Sequence, residues 1–169
     1  RINYVHYVER SRSVSNDGIA WKLSSDSYLY IEYSVIYTLN KYRQESGMTE
    51  AGGCLFGYYR GNHIHIAYCT EPMSGDNRNL FRFDRRDQQH LYIGKALHEK
   101  YRGTCTYLGD WHTHPQNIPT PSALDFCEWD KITALKGSWK SVAIIVGIAG
   151  FWVGLGSHSN PIRNPLTQY

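Results

Sequence analysis

The chain has 169 residues, 41% of them hydrophobic and 20% charged, with a formal net charge of +3. That length predicts one domain able to bury a real core, and the composition is that of a soluble globular protein with no apolar run long enough to span a bilayer. So small a net charge does not demand a nucleic-acid partner.

The start, Arg1-Ile2-Asn3-Tyr4, lacks a basic head followed by an apolar stretch, so no signal peptide is expected, and the absent initiator Met points to trimming or to missing upstream residues. Residues 2 to 23 read as one or two short strands, the better being Ile19 to Leu23. A helix is expected next, because Leu29, Val35, Ile36, Leu39 and Tyr42 mark a broad apolar stripe and Ser46-Gly47 supplies a stop. Two strands follow, Cys54 to Tyr59 and Asn62 to Cys69, joined by a tight turn at Arg60-Gly61. The second carries His63 and His65 on one face. No carboxylate sits at ligand spacing beside them in sequence, so they read as structural or exposed.

Thr70 to Asp84 is the longest irregular stretch, and long loops in compact domains are often functional. It mixes arginines with phenylalanines. Arginine can grip a carboxylate or carbonyl and phenylalanine can cover an extended chain, so Arg78, Phe81 and Arg82 are candidate substrate-binding residues. A surface flap with solvated charges is the alternative. Arg85 to Tyr101 reads as a helix ending at Arg102-Gly103, and Cys105 to Trp111 as a strand. A third helix should follow Pro121 and stop near Gly137. Val142 to Ile148 is almost wholly apolar and should be the most buried strand, with Phe151 to Leu155 returning beside it. Residues 158–169, with Pro161 and Pro165, read as an exposed tail. Cys54, Cys69, Cys105 and Cys127 form no Cys-x-x-Cys pair, so free thiols in a reducing cytoplasm are expected rather than disulfides.

The chemistry concentrates in Trp111-His112-Thr113-His114-Pro115 and Ser122-Ala123-Leu124-Asp125. At the end of a strand, His112 and His114 leave the same face and converge. Ser122 and Asp125 lie on one face of a helix's first turn, where they also fit a capping box. Folded together, two imidazole nitrogens and a carboxylate make a suitable set for Zn²⁺ with a fourth position open. Glu50, ahead of Gly52-Gly53, offers a base at the start of a strand.

Glu50, then His112-Thr113-His114-Pro115, then Ser122 and Asp125 resemble the JAMM signature of the JAB/MPN metallo-isopeptidases: Glu, His-Ser/Thr-His, seven residues, Ser, two residues, Asp. The resemblance covers roughly residues 19 to 157. It is strongest to the small bacterial stand-alone members, among them the deubiquitinase-like peptidase of CBASS antiphage operons. It implies an α/β chain of the α+β type with the MPN fold, a curved mixed sheet between helices layered as in cytidine deaminases, in one domain over residues 1–157. It implies one Zn²⁺ per chain held by His112, His114 and Asp125, with Glu50 as general base and Ser122 as oxyanion donor. The implied activity is cleavage after the C-terminal residue of a protein tail joined to a lysine amine. That tail belongs either to a nucleotidyltransferase-like enzyme, in antiviral defence, or to a ubiquitin-like or sulfur-carrier protein.

Two other classes are weighed against this. A non-catalytic MPN binding module is disfavoured because every ligand position is filled. Nucleic-acid binding through Arg78, Arg82, Arg85 and Arg86 is disfavoured because the cluster is short, lacks a recognition motif and alternates with Asp84 and Asp87.

Overall fold

In a computed structural model the described residues are 18–169, so the strand expected before Gly18 lies outside them. The elements run β1 (Gly18–Lys22), β2 (Tyr28–Glu32), α1 (Tyr33–Asn40), β3 (Gly52–Arg60), β4 (His63–Cys69), β5 (Asn77–Asn79), β6 (Arg82–Asp84), α2 (Gln89–Lys100), β7 (Thr106–Thr113), α3 (Ala123–Lys136), β8 (Ser141–Val146), β9 (Phe151–Gly156) and β10 (Thr167–Gln168). One eight-stranded sheet has the order β10-β1-β2-β4-β3-β7-β8-β9, and β5-β6 form a separate hairpin. The pairs β2–β4 and β7–β8 are parallel and the other pairs of the large sheet antiparallel, which makes it mixed.

Helices cover both faces. Val35, Ile36 and Leu39 of α1 pack with Leu29, Ile31, Leu55, Ile64, Ile66 and Ile144 on one side of the sheet. On the other side α2 covers Cys54, Phe56 and Cys105 through Leu97, and α3 covers Ala143 and Ile145 through Trp129. Strand β8 therefore gives alternate residues to both layers and is buried throughout, as its continuous apolar run predicts.

Three local expectations are corrected. Leu29 is not in the helix: Tyr28 to Glu32 alternates at period two, so Leu29 and Ile31 point into the core as strand residues, and the helix begins only at Tyr33 and ends at Asn40. The stretch 70–84 contains the β5–β6 hairpin, closed by the Asn79 side chain, which accepts the Phe81 amide at 2.9 Å. Finally, the segment 158–169 is docked rather than a free tail. Ile162 is buried against Trp129, Ile145 and Trp152, Leu166 donates its amide to the Val153 carbonyl at 2.7 Å, and Thr167–Gln168 pair with β1. The last residues thus bridge to the edge strand β9 at Pro165 and add β10 beyond β1, so that they occupy both ends of the sheet.

A bulge decides which face carries the histidines. The β3–β7 register shifts between Leu55 and Phe56, whose partners are Gly109 and Tyr107. Leu108 faces the α1 layer, and strict alternation from it would send Asp110 and His112 to that same layer. The extra residue reverses the alternation, so Trp111 takes the α1 side and His112 the α3 side. Gly109 is required there: at φ 155° a Cβ would overlap the Val142 carbonyl oxygen.

A buried polar knot fixes the strand ends. The Thr113 hydroxyl accepts the Ala51 amide at 2.9 Å and lies 3.5 Å from Gln44 Oε1. The Gln44 amide donates to the Met48 and Leu80 carbonyls, each at 2.9 Å. Both side chains are essentially inaccessible to solvent.

Two stability outcomes follow from this packing. Ile162→Ala should lower unfolding stability by about 2–5 kcal/mol in a urea titration; a midpoint equal to the unmodified chain's would mean that the C-terminal segment is not part of the core. Thr113→Val keeps the shape but strands the Ala51 amide, and should cost roughly 1–3 kcal/mol on the same measurement.

Candidate active site

Strand β7 delivers His112 and His114 follows directly after it, while the N-terminus of α3 delivers Asp125. His112 Nε2 lies 3.1 Å from His114 Nε2 and 3.1 Å from Asp125 Oδ1, and His114 Nε2 lies 3.5 Å from Asp125 Oδ2. A tetrahedral ion with donors at about 2.0–2.2 Å holds neighbouring donors roughly 3.3–3.6 Å apart. The His114–Asp125 separation falls in that range and the two of 3.1 Å lie just below it, so a small outward shift of His112 would fit one such ion. Among the described residues these three are the one group of His, Cys, Asp or Glu side chains placed to hold a metal together.

The surroundings prepare each donor. His114 Nδ1 lies 3.0 Å from the Thr120 carbonyl, which can only accept, so Nδ1 carries the hydrogen and Nε2 presents its lone pair to the centre. Burial, and then the neighbouring His112, pull the His114 pKa down, which favours the neutral ligand form. Burial pushes the Asp125 carboxyl up, but the hydrogen bond and charge of His112 and the two Ser122 donors outweigh it and hold it at about 2. Those donors are the Ser122 amide at 2.6 Å and hydroxyl at 2.7 Å, both on Oδ2.

Ser122 is thus the N-cap of α3 in a full capping box, its oxygen also accepting the Asp125 amide at 3.2 Å. The cap thus orients the carboxylate of the candidate metal ligand Asp125. In this geometry the hydroxyl proton is committed to Asp125, so donation to a substrate oxygen requires the hydroxyl to swing away.

Glu50 comes from the segment before β3, which pairs Gly52 with His112. Its carboxylate is buried, with Oε1 4.0 Å from His114 Nε2. Burial pushes its carboxyl up to about 7, against the pull of His112, while the charge on Asp125 adds to the rise and a hydrogen bond from the Phe83 amide opposes it.

These groups line a groove of about 670 Å³ between the β5–β6 hairpin and α3. Phe81 and Arg82 stand on its rim, with Arg82 bonded to Asp84. Arg78 does not line the groove. Its guanidinium turns inward and donates to the Glu50 carbonyl at 2.7 Å, so its placement beneath the base replaces the expected placement against a substrate. Arg85, expected at the start of a helix and weighed as part of a basic cluster, precedes the helix that begins at Gln89 and lies in the groove wall paired with Asp110. The decoy histidines are structural: His65 Nε2 lies 2.8 Å from Glu32 Oε1, a carboxylate 33 positions upstream, and His63 accepts the Tyr28 amide. Nothing in sequence spacing marks Gln44, the Phe83 amide or the Asn79 carbonyl as parts of the site, because each acts through the fold and two act through backbone.

Among the described residues no helix is long and apolar enough to cross a membrane. Residues 34–158 match the family described as prokaryotic homologs of the JAB domain. The chain is 37% identical over 142 residues to a CD-NTase/cGAS isopeptidase of Vibrio cholerae, a match that spans 83% of this chain and 90% of the relative. It is 35% identical over 130 residues to a protein of the same name from Escherichia coli, spanning 76% of this chain and 82% of that one. The solution structure of a protein from Desulfitobacterium hafniense superposes with a TM-score of 0.54 at 19% identity, covering 82% of this chain and 89% of the other, and supports the fold alone. With its sheet, its helices and its His-His-Asp triangle in place, the chain belongs to the prokaryotic JAB-domain family.

Proposed function

We propose that the chain is a zinc-dependent isopeptidase that cuts the amide between the C-terminus of a conjugated protein and a lysine amine. The observation that carries this reading is the His112–His114–Asp125 triangle with the Glu50 carboxylate 4.0 Å from one of its members. Zinc bound there supplies Lewis acidity toward a carbonyl oxygen and lowers the pKa of water toward neutrality. His112, His114 and Asp125 hold the ion, and Thr120 and Ser122 hold the ligands in orientation. Glu50 takes a proton from the attacking water as its oxygen bonds the carbonyl carbon. It returns a proton to the lysine nitrogen as the C–N bond breaks, which leaves a carboxylic acid and a free amine. A carboxyl placed near neutrality by burial suits both halves of that transfer. Once free of Asp125, the Ser122 hydroxyl can donate to the developing oxyanion.

The substrate reading draws on two supports. Relatives covering most of their own length carry the name CD-NTase/cGAS isopeptidase. The groove runs past an exposed hairpin whose β6 strand pairs, among the described residues, with β5 alone, so that its outer side can meet an extended tail. The proposed substrate is accordingly a nucleotidyltransferase-like enzyme conjugated through its C-terminal tail in CBASS defence, and the proposed setting is the bacterial cytoplasm. Phe81 and Arg82 are the proposed tail contacts, while a ubiquitin-like tail would use the same chemistry.

Three variants test the chemistry. Glu50→Ala should keep one zinc per chain and lose cleavage of a lysine-linked conjugate by at least about a hundredfold. Asp125→Ala should lose stoichiometric zinc, measured by elemental analysis, and a chelator should silence the unmodified chain. Cleavage surviving Glu50→Ala, or zinc surviving Asp125→Ala, would sink the assignment. Arg82→Ala should raise KM for the full-length conjugate severalfold with kcat little changed; an unchanged KM would remove Arg82 from the substrate surface.

A further inference from the structure

The β5–β6 hairpin has two sides with different neighbours. Its tip, Leu80 and Phe81, stands at the groove mouth, with Phe81 81% exposed. Its inner side meets the backbone around Glu50. Arg78 Nε donates to the Glu50 carbonyl at 2.7 Å, and Nη2 lies 3.5 Å from the Thr49 carbonyl. The Glu50 amide donates to the Asn79 carbonyl at 2.8 Å. Phe83, the partner of Arg78 across the hairpin, brings its amide to the Glu50 carboxylate and its ring so close to Gly52 that a Cβ there would overlap it.

Glu50 precedes β3, so the ladder of the large sheet does not take its own amide and carbonyl. The next amide, Ala51, donates to the Thr113 hydroxyl, and the hairpin takes both groups of Glu50 itself. Asn79 takes the amide and Arg78 the carbonyl, and only the second of these contacts depends on a side chain. A charged donor on a carbonyl is stronger than a neutral one and restricts rotation of the peptide from which the carboxylate hangs.

We propose that Arg78 is a positioning residue for Glu50, fixing the peptide that aims the carboxylate and making the substrate-facing hairpin and the base one rigid unit. The proposal rests on Glu50 being the proton carrier described above. It removes Arg78 from the set that grips substrate and gives it a role at the reacting bond, exerted through Glu50.

The test uses the full zinc-loaded chain with Arg78→Ala and Arg78→Lys. Arg78→Ala should lower kcat by roughly 10- to 100-fold, the scale of a misplaced group, with KM and zinc content held. Arg78→Lys should recover much of that loss, because an ammonium can still donate to the Glu50 carbonyl. On a Glu50→Ala background, adding Arg78→Ala should leave affinity for the intact conjugate unchanged. Amide hydrogen exchange should quicken over residues 48–53 in Arg78→Ala while residues 111–114 keep their protection.

A raised KM with kcat intact, or weakened binding on the Glu50→Ala background, would overturn the proposal in favour of a substrate contact. Unchanged exchange over 48–53 would overturn it whatever the activity. If Arg78→Ala does not fold, Arg78→Lys and Arg78→Gln carry the same comparison, glutamine being expected to keep a neutral donor and an intermediate kcat. If the unmodified chain cuts no conjugate, the isopeptidase reading fails by itself, and the exchange measurement still decides whether Arg78 holds the Glu50 peptide.

Discussion

The antiparallel pairing of β3 with β7 is what the site is built on. Opposing Gly52 to His112 brings the segment carrying Glu50 alongside the end of the ligand strand, and the Ala51–Thr113 hydrogen bond extends that pairing one step beyond the ladder. A slip of one residue would turn His112 and His114 toward the layer that holds Leu108 and Trp111, where imidazoles would be buried without polar partners. The bulge at Gly109 is therefore part of the active site although it touches none of its chemistry. It converts a core-facing alternation into a site-facing one over a single residue.

The two carboxylates show how one pocket gives similar groups different tasks. Asp125 sits at a helix N-terminus with the Ser122 amide and hydroxyl on one oxygen and His112 on the other, and so stays ionised down to about 2. Glu50 has less compensation for its burial, and the nearby charge of Asp125 pushes in the same direction, so its carboxyl is pushed up to about 7. Environments that separate two carboxyls in this way suit them to the two proposed tasks, a fixed ligand and a mobile proton carrier. A cation in the triangle would favour the ionised form of Glu50, which is the form that accepts a proton.

The sequence made the centre of this site legible and its frame much less so. His112, His114, Ser122 and Asp125 could be read because strand and helix periodicities put them on common faces, and the strand β8 because its apolar run is unbroken. Leu29 misled because an isolated apolar residue fits a helical stripe as well as a strand; what decides it is the tertiary pairing of β2 with β4, 35 positions away. The segment 158–169 reads as a polar, proline-marked tail, yet two apolar residues, Ile162 and Leu166, are enough to pin it across the sheet edges. Arg78 was legible as chemically active but not as to its partner. An arginine that grips a carbonyl of its own chain and one that grips a substrate's carbonyl have the same sequence signature.

That ambiguity also separates chemistry from specificity in this fold. The His-His-Asp triangle and Glu50 are held by contacts within the chain: the buried Gln44–Thr113 knot, the capping box and the hairpin's inner side. The rim is made of Phe81, Arg82 and Leu124, side chains that the interior does not fix and that can change without disturbing the ligands. A scaffold divided in this way can keep one reaction while its partner changes. The hairpin couples the two parts, because it presents Phe81 to the groove on its outer side and holds the Glu50 peptide on its inner side.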